Sequence, residues 1–264
     1  MLATRIFTAL IGIPVIFACI YFGGIPFFII MAIVSFFCVL EYMAILQKYN
    51  PHKIISIIMS VLFFIFLYIS QYNDKAVIAA AVILFVLFAV EVFGKNTDMC
   101  AVRISVSFLG AFFLPLALMH MVYIREIPGG GMKLIFFIFI TVWILDTAAY
   151  AFGRMLGKHK LAPNVSPKKT VEGAVAGTVF GILTAVLCRY IFMADVLSLK
   201  EAIILGIIIS MVGQFSDLAE SLIKRDGQIK DSGTIIPGHG GFLDRFDSYI
   251  FAAPAVYYYL YFFR

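Results

Sequence analysis

The densest group of polar residues in the chain lies between residues 214 and 249. If the start of this segment is helical, Asp217, Ser221 and Lys224 are spaced by four and then three residues and share one helix face. A carboxylate, a hydroxyl and an ammonium group on one face could hold both a metal ion and a phosphate group. Asp217 follows a long apolar run, and a carboxylate inside a membrane span costs about 2.5–3.5 kcal/mol on insertion scales. This cost favours a functional role for Asp217 over a structural pairing with a basic residue.

A second pair of carboxylates lies near the end of the same segment. Asp244 and Asp247 are three residues apart at the start of an apolar run, so a helix there would point both carboxylates to one side. Their oxygen atoms are hard ligands that suit Mg²⁺, although acidic residues at a helix start also complement the helix dipole. Just before them, residues 237–241 read Pro-Gly-His-Gly-Gly, and this nearly bare backbone could approach an anion closely. Within it, His239 either contacts a phosphate or base or is only a turn residue.

A third polar segment, residues 154–170, is strongly basic. Ser166, Pro167 and Thr170 are typical of a helix N-terminus, where free amide groups attract phosphate. Lys168 and Lys169 add positive charge at the same place. The segment is therefore predicted to hold a phosphate group, and an anchor for acidic lipid headgroups is the alternative.

The elements that must position these residues are helices in a membrane. The 264 residues are 63% hydrophobic and 13% charged, and the mean hydropathy is +1.03, whereas soluble domains are about half apolar and a quarter charged. Apolar runs of about 20 residues recur along the chain, and helices satisfy the backbone amides of such runs internally. The composition excludes a water-soluble fold and predicts an all-α, polytopic integral membrane helical bundle.

Apolar runs and the residues that interrupt them predict nine transmembrane helices. These helices are expected near residues 6–22, 26–46, 54–70, 76–93, 104–124, 132–153, 171–193, 201–222 and 248–263. Two of the connections are long, residues 154–170 and 223–247, and the polar segments described above fall in or beside them. We therefore expect one integrated membrane domain in which residues 1–130 form a scaffold and residues 131–264 form the catalytic half.

The distribution of Lys and Arg predicts the orientation of the chain. With nine spans, most of these residues fall at the N-terminus and in the loops after every second span, including both long loops. The positive-inside rule then places the N-terminus and the active site at the cytoplasmic side of the plasma membrane. The net charge of +5 is explained by this orientation and by anionic lipids, and no nucleic acid partner is expected.

Four motifs follow one another at fixed spacing in the second half of the chain. They are Ser221-x-x-Lys224-Arg225, Lys230-Asp231, Pro237-x-His239-Gly240-Gly241 and Asp244-Arg245-x-Asp247. Two earlier stretches belong with them, Asp146-Thr-Ala-Ala-Tyr and the stretch from Phe152-Gly-Arg to Ser166-Pro-x-Lys-Thr-x-Glu-Gly173. Over residues 143–249, this composite resembles the phosphatidate cytidylyltransferase family, also called CDP-diacylglycerol synthases.

The resemblance implies a nucleotidyltransferase that converts CTP and phosphatidate to CDP-diacylglycerol and pyrophosphate in phospholipid biosynthesis. It implies a dependence on Mg²⁺, alone or with a second cation, and we assign Asp217, Asp244 and Asp247 as its ligands. Ser221 would help to place the metal, and Lys224 and Arg225 would neutralise phosphate charge. The further substrate-binding residues that we predict are Asp146, Lys168, Lys169, Lys230, Asp231, His239, Gly240, Gly241 and Arg245.

Two other functions are compatible with intramembrane carboxylates. A CTP-using kinase of polyprenols or other lipid alcohols would handle metal and nucleotide in the same way but would release CDP. A secondary transporter would show related halves with paired interruptions, whereas the carboxylates here cluster in one half.

Several remaining features are expected to be structural. Gly173, Gly177 and Gly181 form a small-xxx-small repeat, which predicts helix packing and permits a homodimer among the membrane lipids. The four cysteines are scattered singly and indicate neither disulfides nor a metal site. No role is predicted for Glu41 or Glu91.

Overall fold

The computed structural model describes residues 2–70, 75–94, 97–235 and 240–264, with side chains for residue 10 and from residue 12 onward. Its apolar runs form helices, in which each amide bonds within its own segment. The helices are α1 (Leu2–Phe22), α2 (Gly24–Ile45), α3 (Lys53–Ser70), α4 (Ala76–Val92), α5 (Cys100–Phe108), α6 (Leu114–Arg125), α7 (Gly131–Leu156), α8 (Val171–Phe192), α9 (Leu199–Asp226) and α10 (Leu243–Phe263). A short 3-10 helix covers Gln47–Tyr49, and a π-helical turn, Leu109–Phe113, joins α5 to α6.

Each of the nine predicted segments falls on a helix, so the prediction of an all-α membrane protein is confirmed. Within the described ranges, six helical stretches are long and apolar enough to cross a membrane. They are Gly24–Ile45, Lys53–Ser70, Cys100–Arg125, Gly131–Leu156, Val171–Phe192 and Leu199–Asp226. Gly12–Phe22 and Ala76–Val92 are shorter apolar helices, and membrane crossing by these two and by α10 stays a prediction.

The predicted loop at residues 154–170 contains a β-hairpin. Strands β1 (Lys160–Ala162) and β2 (Ser166–Thr170) pair antiparallel, with Lys160 opposite Thr170 and Ala162 opposite Ser166. The N-cap prediction is right for Thr170, whose hydroxyl accepts a hydrogen bond from the Gly173 amide at 3.2 Å at the start of α8. It is wrong for Ser166 and Pro167, which lie in β2, because the chain pairs as a strand before the helix begins.

By their contacts, the described residues divide into two compact units that are interleaved along the chain. The first unit draws on Met1–Cys19, Ile25–Met119 and Ile223–Arg245, and the second on Ile20–Gly24, His120–Leu222 and Phe246–Arg264. Helices α9 and α10 therefore contribute residues to both units. The predicted boundary at residue 130 concerns function rather than contacts, and it stays a prediction.

In the second unit, α8 packs on α7 through its glycines. A methyl group at Gly173 would lie 2.6 Å from the carbonyl oxygen of Ala149, and one at Gly177 would lie 3.0 Å from the Ala149 side chain. Any larger side chain would separate the helices, which confirms the predicted packing role of the repeat. Because Gly173 and Gly177 already pack α8 against α7 within one chain, these glycines do not support a homodimer. A homodimer stays a prediction.

Candidate active site

Three carboxylates of the second unit come together between α9 and α10. Asp217, Glu220 and Asp247 each offer one oxygen atom, and the three atoms lie within 4.8 Å of one another. Asp217 and Glu220 are three residues apart on α9 and so share a helix face. We call these three residues the carboxylate cluster. Its hard oxygen donors, held on two helices, have the chemistry of a site for a divalent cation.

Ser216 fixes the backbone that carries Asp247. The residue is 1% exposed, and its hydroxyl donates a hydrogen bond to the backbone carbonyl of Asp247. The same hydroxyl accepts a bond from the Phe251 amide at 3.2 Å. Ser216 thus joins the start of α10 to the turn of α9 that carries Asp217, and it sets the separation of the two carboxylates.

The cluster is rich in negative charge. Burial raises the pKa of Asp247 well above its ordinary value, and the negative charges of Asp217, Glu220 and Asp146 raise it further. Lys169 Nζ on β2 lies 2.5 Å from Asp217 Oδ2 and balances part of this negative charge. A bound divalent cation would relieve the remaining repulsion, so the residues present fit the metal that the sequence motifs imply.

A second polar group lies in the first unit. Lys224 Nζ, at the end of α9, donates a hydrogen bond to Asp244 Oδ1 at 2.6 Å. The other oxygen of Asp244 accepts bonds from the backbone amides of Ser232 and Gly241 at 2.9 and 3.1 Å, and the Ser232 hydroxyl lies 2.9 Å from it. Burial by itself would raise the pKa of Asp244, but the bonds from Lys224 and the two amides lower it below the ordinary value overall. The result is an ordered ion pair with a charged ammonium group.

The carboxylates that the structure brings together differ by one residue from those predicted to bind the metal. Asp217 and Asp247 come together as expected, but the third oxygen atom of the cluster belongs to Glu220. Asp244 directs its carboxylate to Lys224, Ser232 and Gly241 instead. In the sequence, Glu220 is four residues before Lys224, a spacing that by itself indicates an ordinary helical ion pair. The three-residue spacing of Asp217 and Glu220, identical to that of Asp244 and Asp247, is the signal that could have identified it.

The remaining motif residues have varied surroundings. Ser221 donates a hydrogen bond to Asp217 Oδ1 at 3.5 Å, so it lies beside the carboxylate cluster, and its role in placing a metal stays a prediction. Arg225 donates to the carbonyl oxygen of Ile229 at 3.0 Å and thereby helps to end α9. Six of the charged residues predicted for the site are exposed, which leaves them accessible to a ligand: Asp146 on α7, Lys168, Arg225, Lys230, Asp231 and Arg245.

The glycine-rich run is described only in part. Gly240 has a φ of +86°, a conformation that favours glycine, and it leads into the buried Gly241. The amide of Gly241, predicted to bind an anionic ligand, donates to the protein's own carboxylate at Asp244. His239 lies outside the described residues.

Comparison with known proteins covers nearly the whole chain. Residues 3–263 match the cytidylyltransferase family. The phosphatidate cytidylyltransferase of Staphylococcus saprophyticus is 36% identical over 261 residues, which is 95% of each chain. The enzymes with the same name from Bacillus subtilis and Staphylococcus aureus (strain COL) are 32% and 33% identical, and the matches cover at least 95% of every chain. The resemblance predicted from the motifs is confirmed, and the chain belongs to the cytidylyltransferase family.

Proposed function

We propose that the chain transfers the cytidylyl group of CTP to phosphatidate, giving CDP-diacylglycerol and pyrophosphate. Membership in the family supports the reaction. The single structural observation that carries the proposal is the carboxylate cluster of Asp217, Glu220 and Asp247, which lies in the segment that holds the family's motifs. The described part of the chain has six helical stretches long and apolar enough to cross a membrane. This suits a lipid substrate, because the substrate stays in the bilayer while CTP arrives from water.

The reaction places few demands on acid–base chemistry. An oxygen of the phosphatidate phosphate attacks the α-phosphorus of CTP, and the bond from that phosphorus to the bridging oxygen of the β-phosphate breaks. The attacking group is largely dianionic at neutral pH, because the second pKa of a phosphate monoester is about 6. No side chain has to remove a proton from it. The protein must instead position the phosphates and compensate their combined negative charge.

The carboxylate cluster supports Mg²⁺ as the cofactor. Asp217, Glu220 and Asp247 would hold the ion, and Ser221 would assist through its bond to Asp217. When bound, the ion supplies positive charge that polarises phosphate oxygens. Lys169 would balance part of the negative charge of Asp217 through its ion pair with that residue. A second cation remains part of the proposal, with no separate ligand group assigned to it.

Lys224 is proposed to neutralise phosphate charge on CTP or on the departing pyrophosphate. Asp244 holds its ammonium group by a 2.6 Å bond, so the charge has a fixed position before substrate binds. Preorganised charge of this kind stabilises a transition state without reorganisation during the reaction. Arg225, Lys168 and Arg245 are proposed as further phosphate contacts, with Arg225 at the end of the same helix.

The chain is an integral membrane protein. Residence in the plasma membrane, with the active site facing the cytoplasm, is our proposal and follows from the charge distribution of the loops. Lys160, Lys168 and Lys169 lie on the hairpin between α7 and α8, where the positive-inside rule places the cytoplasm.

The proposal is tested with CTP labelled separately in the cytosine ring and in the γ-phosphate. The purified protein, in detergent with phosphatidate and Mg²⁺, should move the ring label into lipid and release the γ label as pyrophosphate. Transfer of the γ label to a lipid alcohol, with release of CDP, would identify a kinase instead. Uptake of a solute into vesicles without cleavage of CTP would identify a transporter.

A further inference from the structure

Glu41 is a buried carboxylate of the first unit to which the sequence assigned no role. It lies on α2 and is 3% exposed. Its Oε1 accepts a hydrogen bond from the Phe242 amide at 3.0 Å, and its Oε2 accepts one from the Leu243 amide at 2.8 Å. These amides stand at the start of α10, where backbone N–H groups lack partners within the helix. Glu41 therefore caps α10, and its negative charge suits the positive end of the helix dipole.

Glu41 is also linked to the Lys224–Asp244 pair through one side chain. The Ser232 hydroxyl lies 2.9 Å from Glu41 Oε2 and 2.9 Å from Asp244 Oδ2. A hydroxyl has a single proton, so that of Ser232 donates to one of these two carboxylates at a time. It also accepts a bond from the Asp244 amide at 3.3 Å, which keeps it joined to Asp244 when it donates to Glu41. The contacts form a continuous chain from Glu41 through Ser232 and Asp244 to Lys224.

The chain packs tightly around this carboxylate. A methyl group at Gly233 would lie 2.8 Å from Glu41 Oε1, and one at Gly241 would lie 2.6 Å from Glu41 Cδ. Phe37, one turn earlier on α2, stacks on Phe242 with 4.8 Å between ring centroids and 12° between ring planes. Gly233, Gly241 and Phe242 thus pack on the side of α2 that carries Phe37 and Glu41.

We propose that Glu41 is a positioning residue for cytidylyl transfer. It fixes the start of α10 and, through Ser232, the carboxylate of Asp244 that orients Lys224. Glu41 itself does not touch substrate. The inference rests on the proposed function, in which Lys224 neutralises phosphate charge.

The test is Glu41→Gln in the full-length protein, purified in detergent. Glutamine keeps the shape but replaces one acceptor oxygen with an amide nitrogen that cannot accept a bond. We expect kcat to fall about tenfold because the ammonium group loses its fixed position, and Glu41→Asp, which keeps the charge, should recover part of the loss. In the Lys224→Ala background the same change should alter kcat less than about twofold, since the group being positioned is gone.

Glu91→Gln is the matched control. Glu91 is another carboxylate of the first unit, on α4, and it accepts hydrogen bonds from Arg103 and from His52. Its replacement should lower the melting temperature yet leave kcat of the folded protein unchanged. Should Glu41→Gln fail to fold, Ser232→Ala removes only the connecting hydroxyl and should show the same dependence on Lys224.

The outcomes separate the inference from the proposed function. If Glu41→Gln and Glu91→Gln have the same effect on kcat, Glu41 is only a structural residue. The same conclusion holds if the loss of kcat in the double variant with Lys224→Ala equals the product of the two single losses. A wild-type protein that released no pyrophosphate from CTP and phosphatidate would refute the proposed function, and this inference with it. Loss of kcat that disappears in the Lys224→Ala background would support both.

Discussion

Lys224 Nζ and Asp244 Oδ1 are 2.6 Å apart, and the two side chains are only 10% and 12% exposed. The pair joins the last turn of α9 to the first turn of α10 within the first unit. Two charges removed from water are stabilised only when their geometry is close and other hydrogen bonds complete it. Asp244 has these further bonds, from Ser232 and Gly241. The pair therefore holds a positive charge in a fixed place, where it can compensate the negative charge of a phosphate group.

Lys224→Ala should lower kcat/KM for CTP by roughly 10²–10³-fold, the usual loss when one preorganised donor is removed from a charged transition state. Lys224→Arg keeps the charge with a different geometry and should retain part of the activity. Pyrophosphate release measures the effect. Lys133→Ala is the control, because Lys133 forms a comparable 2.6 Å ion pair with Asp195 that is far more exposed. A Lys224→Ala variant with unchanged kcat/KM would remove Lys224 from the mechanism.

Mg²⁺ should stabilise the wild-type protein against heat. A ligand present at a hundred times its dissociation constant contributes about 2.7 kcal/mol, and EDTA should abolish this shift together with activity. Glu220→Gln should weaken the shift and raise the Mg²⁺ concentration for half-maximal activity about tenfold or more. Asp195→Asn serves as the control, since Asp195 pairs with Lys133 and is not part of the carboxylate cluster.

Asp244→Asn decides between the two ligand sets. If Glu220 is the third ligand, this variant loses stability and turnover but keeps the Mg²⁺-dependent shift in melting temperature. The opposite result, a lost shift in Asp244→Asn and a normal shift in Glu220→Gln, would restore the set predicted from the sequence motifs.

The sequence predicted those features that depend on local pattern. The apolar run before Asp217 is helical, as expected, and the same helix, α9, continues without a break through Asp217, Ser221 and Lys224. The motifs were sufficient to identify the family, because their residue types and spacing are local properties of the chain. Thr170 was also recognised as the N-cap of α8, since capping depends on the next three residues alone.

Other features depend on contacts between distant segments, which a single sequence does not reveal. Whether Glu220 or Asp244 joins Asp217 and Asp247 depends on how α10 begins, since Asp244 is held there by Lys224, Ser232 and Gly241. Glu41 reaches the Phe242 amide across 201 residues of chain, and a lone glutamate in an apolar run has no pattern that indicates such a partner. The β-hairpin was missed because its strands are short and because proline and lysine dominate β2.

Ser216→Ala should weaken Mg²⁺ binding about tenfold without removing any ligand. The hydroxyl of Ser216 holds the backbone of Asp247, and partners of this kind typically change metal affinity by about 10–100-fold when lost. The control is Ser210→Ala, on the same helix, where the buried hydroxyl has no hydrogen-bond partner among the described residues. Its loss should leave the Mg²⁺ dependence of activity unchanged. Equal effects of the two substitutions would show that Ser216 does not position Asp247.

Cysteine labelling tests the proposed orientation through a single helix. Lys168 precedes the first residue of α8 and is exposed, and Asp195 follows the last residue of α8 with a side chain that is 63% exposed. The 22 residues of α8 extend about 33 Å at 1.5 Å per residue, enough to cross a hydrocarbon core of about 30 Å. In a chain whose native cysteines are replaced, Lys168→Cys should react with an impermeant maleimide only in inverted vesicles, and Asp195→Cys only in intact cells. Reaction of both from one side would show that α8 does not cross, and the reverse pattern would place the hairpin and its lysines outside the cytoplasm.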